Sequence, residues 1–240
     1  MSPSGDPGRS TVARRIATGV VAVSTALVIV GATIALFFNP VWVSFAQGRA
    51  NAAASTGWPP AEVDAVTREV VLEVWVGPGT FAQEVGGEPV FTARERAHMA
   101  DVRRVVLDFF TVVLLGAAVL VVTAWASRLS RAYWRAVAAG AAGLAVGAVV
   151  VGGAFLLFFD AAFTLFHELF FAAGTWTFDP ATDRLVQLFP YQFWTETSVA
   201  IAAVGLALTL AVWAVARRLG RPRGAPPAPV LEFGPGGEAT

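Results

Sequence analysis

Two side chains stand out for proton chemistry because they are the only histidines in the chain, His98 and His167. Imidazole both takes and gives a proton near neutral pH, so each is a candidate general acid or base. Both lie among acids. Glu95, His98, Asp101 and Asp108 follow one another at spacings of 3, 3 and 7, which sets them near one face of a helix. Asp160 precedes His167 by seven residues, and Phe159, Phe163, Phe166 and Phe170 make an aromatic stripe beside it. A carboxylate next to an imidazole orients the ring and stabilises its charged form. Arg103, Arg104 or backbone N–H groups could stabilise an oxyanion. This set suits acyl transfer, with histidine taking a proton from an attacking amine, hydroxyl or water and returning one to a leaving alkoxide. There is no cysteine and no G-x-S-x-G elbow, so neither a thiolate nor a serine acyl-enzyme has support.

Two other chemistries stay open on the same residues. Glu95, His98, Asp101 and His167 have the ligand types for zinc or iron. However, His167-Glu168 has no second histidine four residues after the first, so H-E-x-x-H is absent. The third reading is a non-catalytic scaffold or partner-binding subunit. No cofactor-binding motif is present.

The elements that must hold these residues are membrane helices. Charged residues make up only 14% of the 240 positions against 56% apolar, and the mean hydropathy is +0.63. A soluble domain carries about 25% charged residues. A hydrocarbon core of about 30 Å needs about 20 apolar residues in helix. Four stretches meet that need: 16–38, 105–126, 136–159 and 197–216. Together, 16–216 reads as an all-α four-transmembrane-helix bundle with outer segments 39–104 and 160–196. Residues 1–15 and 217–240 read as disordered tails, the second rich in Pro and Gly. The first stretch is too long for a signal-peptide core and reads as an uncleaved span.

All 17 basic residues are arginine, and 17 acids cancel them. A neutral total offers no basic surface for nucleic acid. The cancellation hides an asymmetry. Arg9, Arg14 and Arg15 precede span one. Arg128, Arg131 and Arg135 join spans two and three, and Arg217, Arg218, Arg221 and Arg223 follow span four. Arginine in short segments marks the cytoplasmic side, which predicts both termini inside. On that side ten arginines meet only Asp6, Glu232 and Glu238, a net +7, and the rest of the chain carries −7.

The outer segments hold the polar chemistry. Residues 60–75 predict an amphipathic helix, with Pro60 at its start and Glu62 and Asp64 in the first turn. It either packs on the protein or lies among lipid head groups. Thr92-Ala93-Arg94-Glu95 has the S/T-x-x-E capping pattern and predicts a helix continuing unbroken into span two. Within it, Asp108 can pair with Arg104. Residues 160–194 are too polar to span and too aromatic for a free loop, which predicts a re-entrant or interfacial helical hairpin. If the two outer segments meet at the mouth of the bundle, His98 and His167 share one site.

Three stretches carry a resemblance. Glu95-Arg96-Ala97-His98-Met99-Ala100-Asp101-Val102 is similar to an E-x-x-H-M-x-D-V signature. Phe166-His167-x-x-Phe170-Phe171 resembles a second, and Trp176-Thr177-Phe178-Asp179-Pro180 a W-x-F-D-P segment. Together they resemble a family of small bacterial integral membrane proteins that includes the lipoprotein intramolecular transacylases, over about residues 16–216. The resemblance implies a bacterial plasma-membrane enzyme whose partners are a diacylated lipoprotein N-terminus and membrane lipid. The implied reaction moves the sn-2 acyl chain of diacylglyceryl-cysteine to the cysteine α-amino group, giving a lyso-form lipoprotein. His98 and His167 carry over as the acid/base pair, Asp101 and Glu95 as supporting residues. Neither metal nor cofactor is implied.

Overall fold

A computed structural model describes residues 7–222, and the remainder of both expected tails, with Asp6, Arg223, Glu232 and Glu238, lies outside the described residues. Among the described residues, four helices are long and apolar enough to cross a membrane: α1 (Pro7–Phe37), α5 (Ala93–Ala126), α6 (Arg131–Leu157) and α9 (Tyr191–Leu219). Between α1 and α5 come α2 (Pro40–Arg49), α3 (Ala52–Thr56), α4 (Pro60–Trp75) and the strands β1 (Glu84–Val85) and β2 (Glu88–Pro89). Between α6 and α9 lie α7 (Phe159–Phe170) and α8 (Arg184–Leu188).

The central helix is α1, which packs on α5, α6 and α9, while α6 also runs along α9. Lipid gives apolar side chains no reason to prefer one another, so close backbone approach through small residues holds such helices together. Gly140 of α6 is the tightest case: a Cβ there would come within 2.2 Å of the Ala22 carbonyl oxygen on α1. A Cβ on Gly31 would meet the Val113 side chain at 2.5 Å. Thr25 and Thr33 are buried in α1 and donate to the carbonyls of Val21 and Ile29 four residues back, each at 2.8 Å. No partner helix has to satisfy those hydroxyls.

The helices overrun the expected spans. α1 begins at Pro7, inside the segment expected to be disordered. Proline is accommodated in a first helical turn, and residues 9–15 contain no breaker to stop the helix. α5 has 34 residues, about 50 Å at 1.5 Å per residue. Its apolar run begins near Val105, so its first three turns precede the stretch apolar enough to cross a membrane. α6 stops at Leu157 because Phe158 leaves helical geometry (φ −131°, ψ 48°).

The segments between the spans build a dome at the end of the bundle opposite the termini. Val43, Val66, Val70, Val74, Phe81 and Leu188 are among its buried residues. α4 turns its valines into that core, which decides its two readings: it packs on the protein. The buried Gln47 ties three helices together, accepting from Thr67 at 2.7 Å and donating to the Leu188 carbonyl at 2.8 Å. Glu73 gathers the loop after α4 by accepting from Thr80 and Phe81 N–H and from Gln83. Burial pushes its carboxyl up, but these hydrogen bonds outweigh burial and hold it below the usual range. Among the described residues, the β1–β2 hairpin is the one departure from an all-helical fold. It turns through Gly86 and Gly87 at φ 64° and 85°, as a two-residue turn with both φ positive requires.

Candidate functional site

The two histidines come from separate outer segments and meet at the edge of the dome. Their ring centroids lie 6.2 Å apart with the planes only 20° from parallel. His98 sits in the second turn of α5, and His167 in the last turn of α7. Thr92 fixes the start of α5. Its hydroxyl accepts from Glu95 N–H, and the Glu95 carboxylate returns the bond to Thr92 N–H at 2.7 Å.

Aromatic rings enclose the pair. Phe171 and Phe178 lie 4.9 and 5.3 Å from the His98 ring. Phe163 and Trp176 lie 4.0 and 4.9 Å from His167. His98 is 6% exposed, and its Nδ1 is buried without a hydrogen-bond partner. Nδ1 of His167 lies 2.7 Å from the Phe163 carbonyl oxygen. A carbonyl can only accept, so Nδ1 carries the proton, and the neutral ring keeps its lone pair on Nε2. Burial holds this imidazole below its usual pKa, while the bond to Phe163 pulls the other way. At neutral pH His167 is therefore an uncharged base with a defined tautomer.

The other expected site residues are distributed differently. Glu95 is fully buried and has both oxygens occupied, one by Thr92 and the other by Leu185 N–H at 2.7 Å. It joins α5 to α8 and does not reach either ring. Arg103 donates to the carbonyls of Glu73 and Gly77 at 3.1 and 3.0 Å, closing the C-terminal end of α4. Arg104 pairs with Asp101 at 3.1 Å, not with Asp108 as expected. Asp108 instead lines a cavity of about 300 Å³ with Pro78, Gly79 and Ala100. Asp160 is in the first turn of α7, about 10 Å along the helix from His167 at 1.5 Å per residue. Asp101, though paired with Arg104, is close enough for its charge to favour the protonated form of His98, against the larger effect of burial. Among the described residues no three His, Asp or Glu side chains gather as a metal-ligand group.

The segment after α7 supplies what the sequence reading missed. The helix that follows, α8, is short and comes only after an irregular stretch, so no regular hairpin forms. Gly174 turns the chain at φ 80°, and an extended run leads through Trp176 and Phe178 to α8. Arg94 secures this run by donating to the Thr177 carbonyl at 3.0 Å and to Asp183 at 2.8 Å, with its guanidinium 4.7 Å from the Phe178 ring centroid. Asp183 also accepts from Asp179 N–H at 2.7 Å. Arg94 falls in the capping pattern and Asp183 just beyond the W-x-F-D-P segment, but they are 89 residues apart, and no local periodicity reveals such a pairing.

Comparison with known proteins follows the same outline. A family model described as lipoprotein intramolecular transacylase Lit matches residues 20–194. The fold is similar to that of the membrane-integral lipoprotein intramolecular transacylase Lit from Bacillus cereus, with a TM-score of 0.73 at 19% identity over 87% of this chain and 96% of that one. Two variants of that protein, with one histidine changed to arginine or to alanine, align with TM-scores of 0.68 and 0.69. Both are 19% identical over 88% of this chain, and the alignments cover 96% and 94% of theirs. No curated protein sequence matches the chain.

Proposed function

The chain belongs to the lipoprotein intramolecular transacylase family, and from that premise we propose that it moves the sn-2 acyl chain of a diacylglyceryl-cysteine onto the α-amino group of the same cysteine. The observation that carries the chemistry is the stacked pair of histidines with the His167 tautomer fixed by Phe163. The amine lone pair attacks the ester carbonyl carbon, and His167 Nε2 takes the proton that the new C–N bond makes acidic. The tetrahedral oxyanion then collapses, the carbon–oxygen bond to glycerol breaks, and a proton passes back to the leaving alkoxide. Ester and amine become amide and alcohol, and no enzyme acyl group is needed. His167 Nε2 is the source of that returning proton, so the base is restored, and the neutral His98 ring, 6.2 Å away, supports the leaving oxygen.

Amine and ester belong to one molecule, so orientation supplies much of the rate. The aromatic walls favour this. Phe163, Phe171 and Trp176 keep water from competing with the amine and raise the worth of each hydrogen bond inside. The dome lies on the outer face in this proposal, as the arginines of the α5–α6 turn and of the helix ends at the opposite pole support. A lipoprotein anchored in the outer leaflet then brings its glyceryl esters to the level of α7.

The intramolecular transfer has a diagnostic consequence: product and substrate are isomers. Expression in a bacterium whose lipoproteins are diacylated should leave intact lipopeptide masses unchanged. Fragment spectra should gain an N-acylated cysteine. Unchanged fragments on expression would overturn the proposal.

A further inference from the structure

Among the described residues, three buried side-chain polar atoms have no hydrogen-bond partner: Gln83 Oε1, His98 Nδ1 and Trp176 Nε1. Two of the three belong to the cage around His167. Buried polar groups are nearly always satisfied, so an orphan calls for a ligand or a reason. An indole N–H can only donate, and what completes it must be an acceptor. The Trp176 ring lies 4.9 Å from the His167 ring, tilted by 36°, which sets it within one group's width of the base.

The indole is also held from both sides. Ahead of it, Thr175 N–H and hydroxyl both donate to the Ala172 carbonyl, at 3.2 and 2.8 Å. Behind it, Arg94 holds the Thr177 carbonyl and covers Phe178. A donor fixed before the substrate arrives, in surroundings poor in competing water, is the kind that stabilises charge developing in a transition state. The reaction develops one such charge. As the amine nitrogen bonds to the ester carbon, the π pair of that carbonyl moves onto its oxygen. It returns to re-form the double bond when the glycerol oxygen leaves with its bonding pair and takes up the proton.

Building on the transacylase reading, we infer that Trp176 is a further catalytic residue, whose Nε1–H donates to the oxyanion of the sn-2 ester carbonyl while His167 handles the proton. The arginines expected for that role are engaged elsewhere: Arg103 on the end of α4 and Arg104 on Asp101. Trp176 fills the role without adding charge to an apolar cage.

The test compares wild type, Trp176→Phe and His167→Asn on a synthetic diacylated lipopeptide in lipid. Phe keeps a ring against His167 and removes only the donor. The expected result is a kcat about 100- to 1,000-fold lower, with KM and the acid limb of the pH profile unmoved. Activity within threefold of wild type would overturn the inference, as would a loss confined to KM or joined to a shifted acid limb. Failure of the transacylase reading looks different, since wild type itself would then form no N-acyl product. Independently of turnover, ¹⁵N-indole spectra report the donor, with the Trp176 signal identified by its loss in Trp176→Phe. A lipopeptide carrying a phosphonate in place of the sn-2 ester should move that N–H signal downfield. Absence of that shift would also overturn the inference.

Discussion

At the scale of single residues, the account turns on which atom of His167 holds the proton. The Phe163 carbonyl keeps it on Nδ1, so Nε2 is the working base. His167→Asn can retain a donor toward Phe163 while losing the base. It should remain folded and lose about 100- to 10,000-fold in rate, whereas wild-type activity in that variant would remove His167 from the mechanism. The pH dependence has a defined sign. Only the neutral ring accepts a proton, and burial lowers its pKa from 6.5, so activity should persist below that value before it falls. The folded protein holds this proton more weakly than the unfolded chain does. The stability it contributes is therefore complete above the unfolded pKa and is lost as pH falls below it. The substrate's α-amino group, which must be neutral to attack, adds its own limb at about 7.7–8.0; a limb traced to His167 by its loss in His167→Asn and sitting above 6.5 would contradict this environment. Both histidines were legible from composition alone, being the only two. The tautomer was not, because a backbone carbonyl four residues away leaves no trace in residue types.

At the scale of elements, the start of α5 and the run from Trp176 to Asp183 act as two parts of one clamp. The family resemblance implied Glu95 as a supporting group of the site, and its bonds go to Thr92 and Leu185. The capping pattern that marked the helix start already accounted for one of its oxygens. The other is engaged across 90 residues, where sequence periodicity is blind. Glu95→Ala would leave the buried Leu185 N–H unpaired and free the part-buried Thr92 N–H, and at about 1–3 kcal/mol for the buried group it should lower thermal stability before it alters the chemistry of the folded fraction. A variant as stable as wild type but inactive would return Glu95 to the catalytic group. Asp183→Ala separates the roles in the other direction. Releasing Arg94 and Asp179 N–H should loosen Trp176 and Phe178, costing about 1–3 kcal/mol and slowing turnover. A melting temperature unchanged by Asp183→Ala would mean that the clamp holds nothing. The α7 segment was foreseen as amphipathic and aromatic, with Leu165, Leu169 and Phe170 left exposed. Its continuation was not, because Arg94, from a distant helix, fixes an irregular run ahead of the short α8 where local composition suggested a regular hairpin.

At the scale of the whole molecule, hydropathy made the four spans legible, while packing set their order. Gly140 decides how near α6 comes to α1, and Gly140→Val should separate the helices and lower the melting temperature in detergent, by the equivalent of about 1–3 kcal/mol for overpacking. An unchanged melting point would show the seam to be loose. The chain has no cysteine, so single replacements report orientation cleanly. Glu88→Cys in the dome should react with an impermeant thiol reagent added outside cells, and Arg131→Cys at the opposite pole should not; the reverse pattern would invert the topology. The central claim is that one substrate molecule both gives and receives the acyl group, at one histidine-bearing mouth. It is tested most directly with purified protein in lipid and a synthetic lipopeptide isotopically labelled only in its sn-2 chain, followed by tandem mass spectrometry. The expected product has the same intact mass, with the label moved to the cysteine nitrogen in wild type and left on glycerol in His167→Asn. Release of the label as free fatty acid, or its retention on glycerol with wild-type protein, would contradict the account.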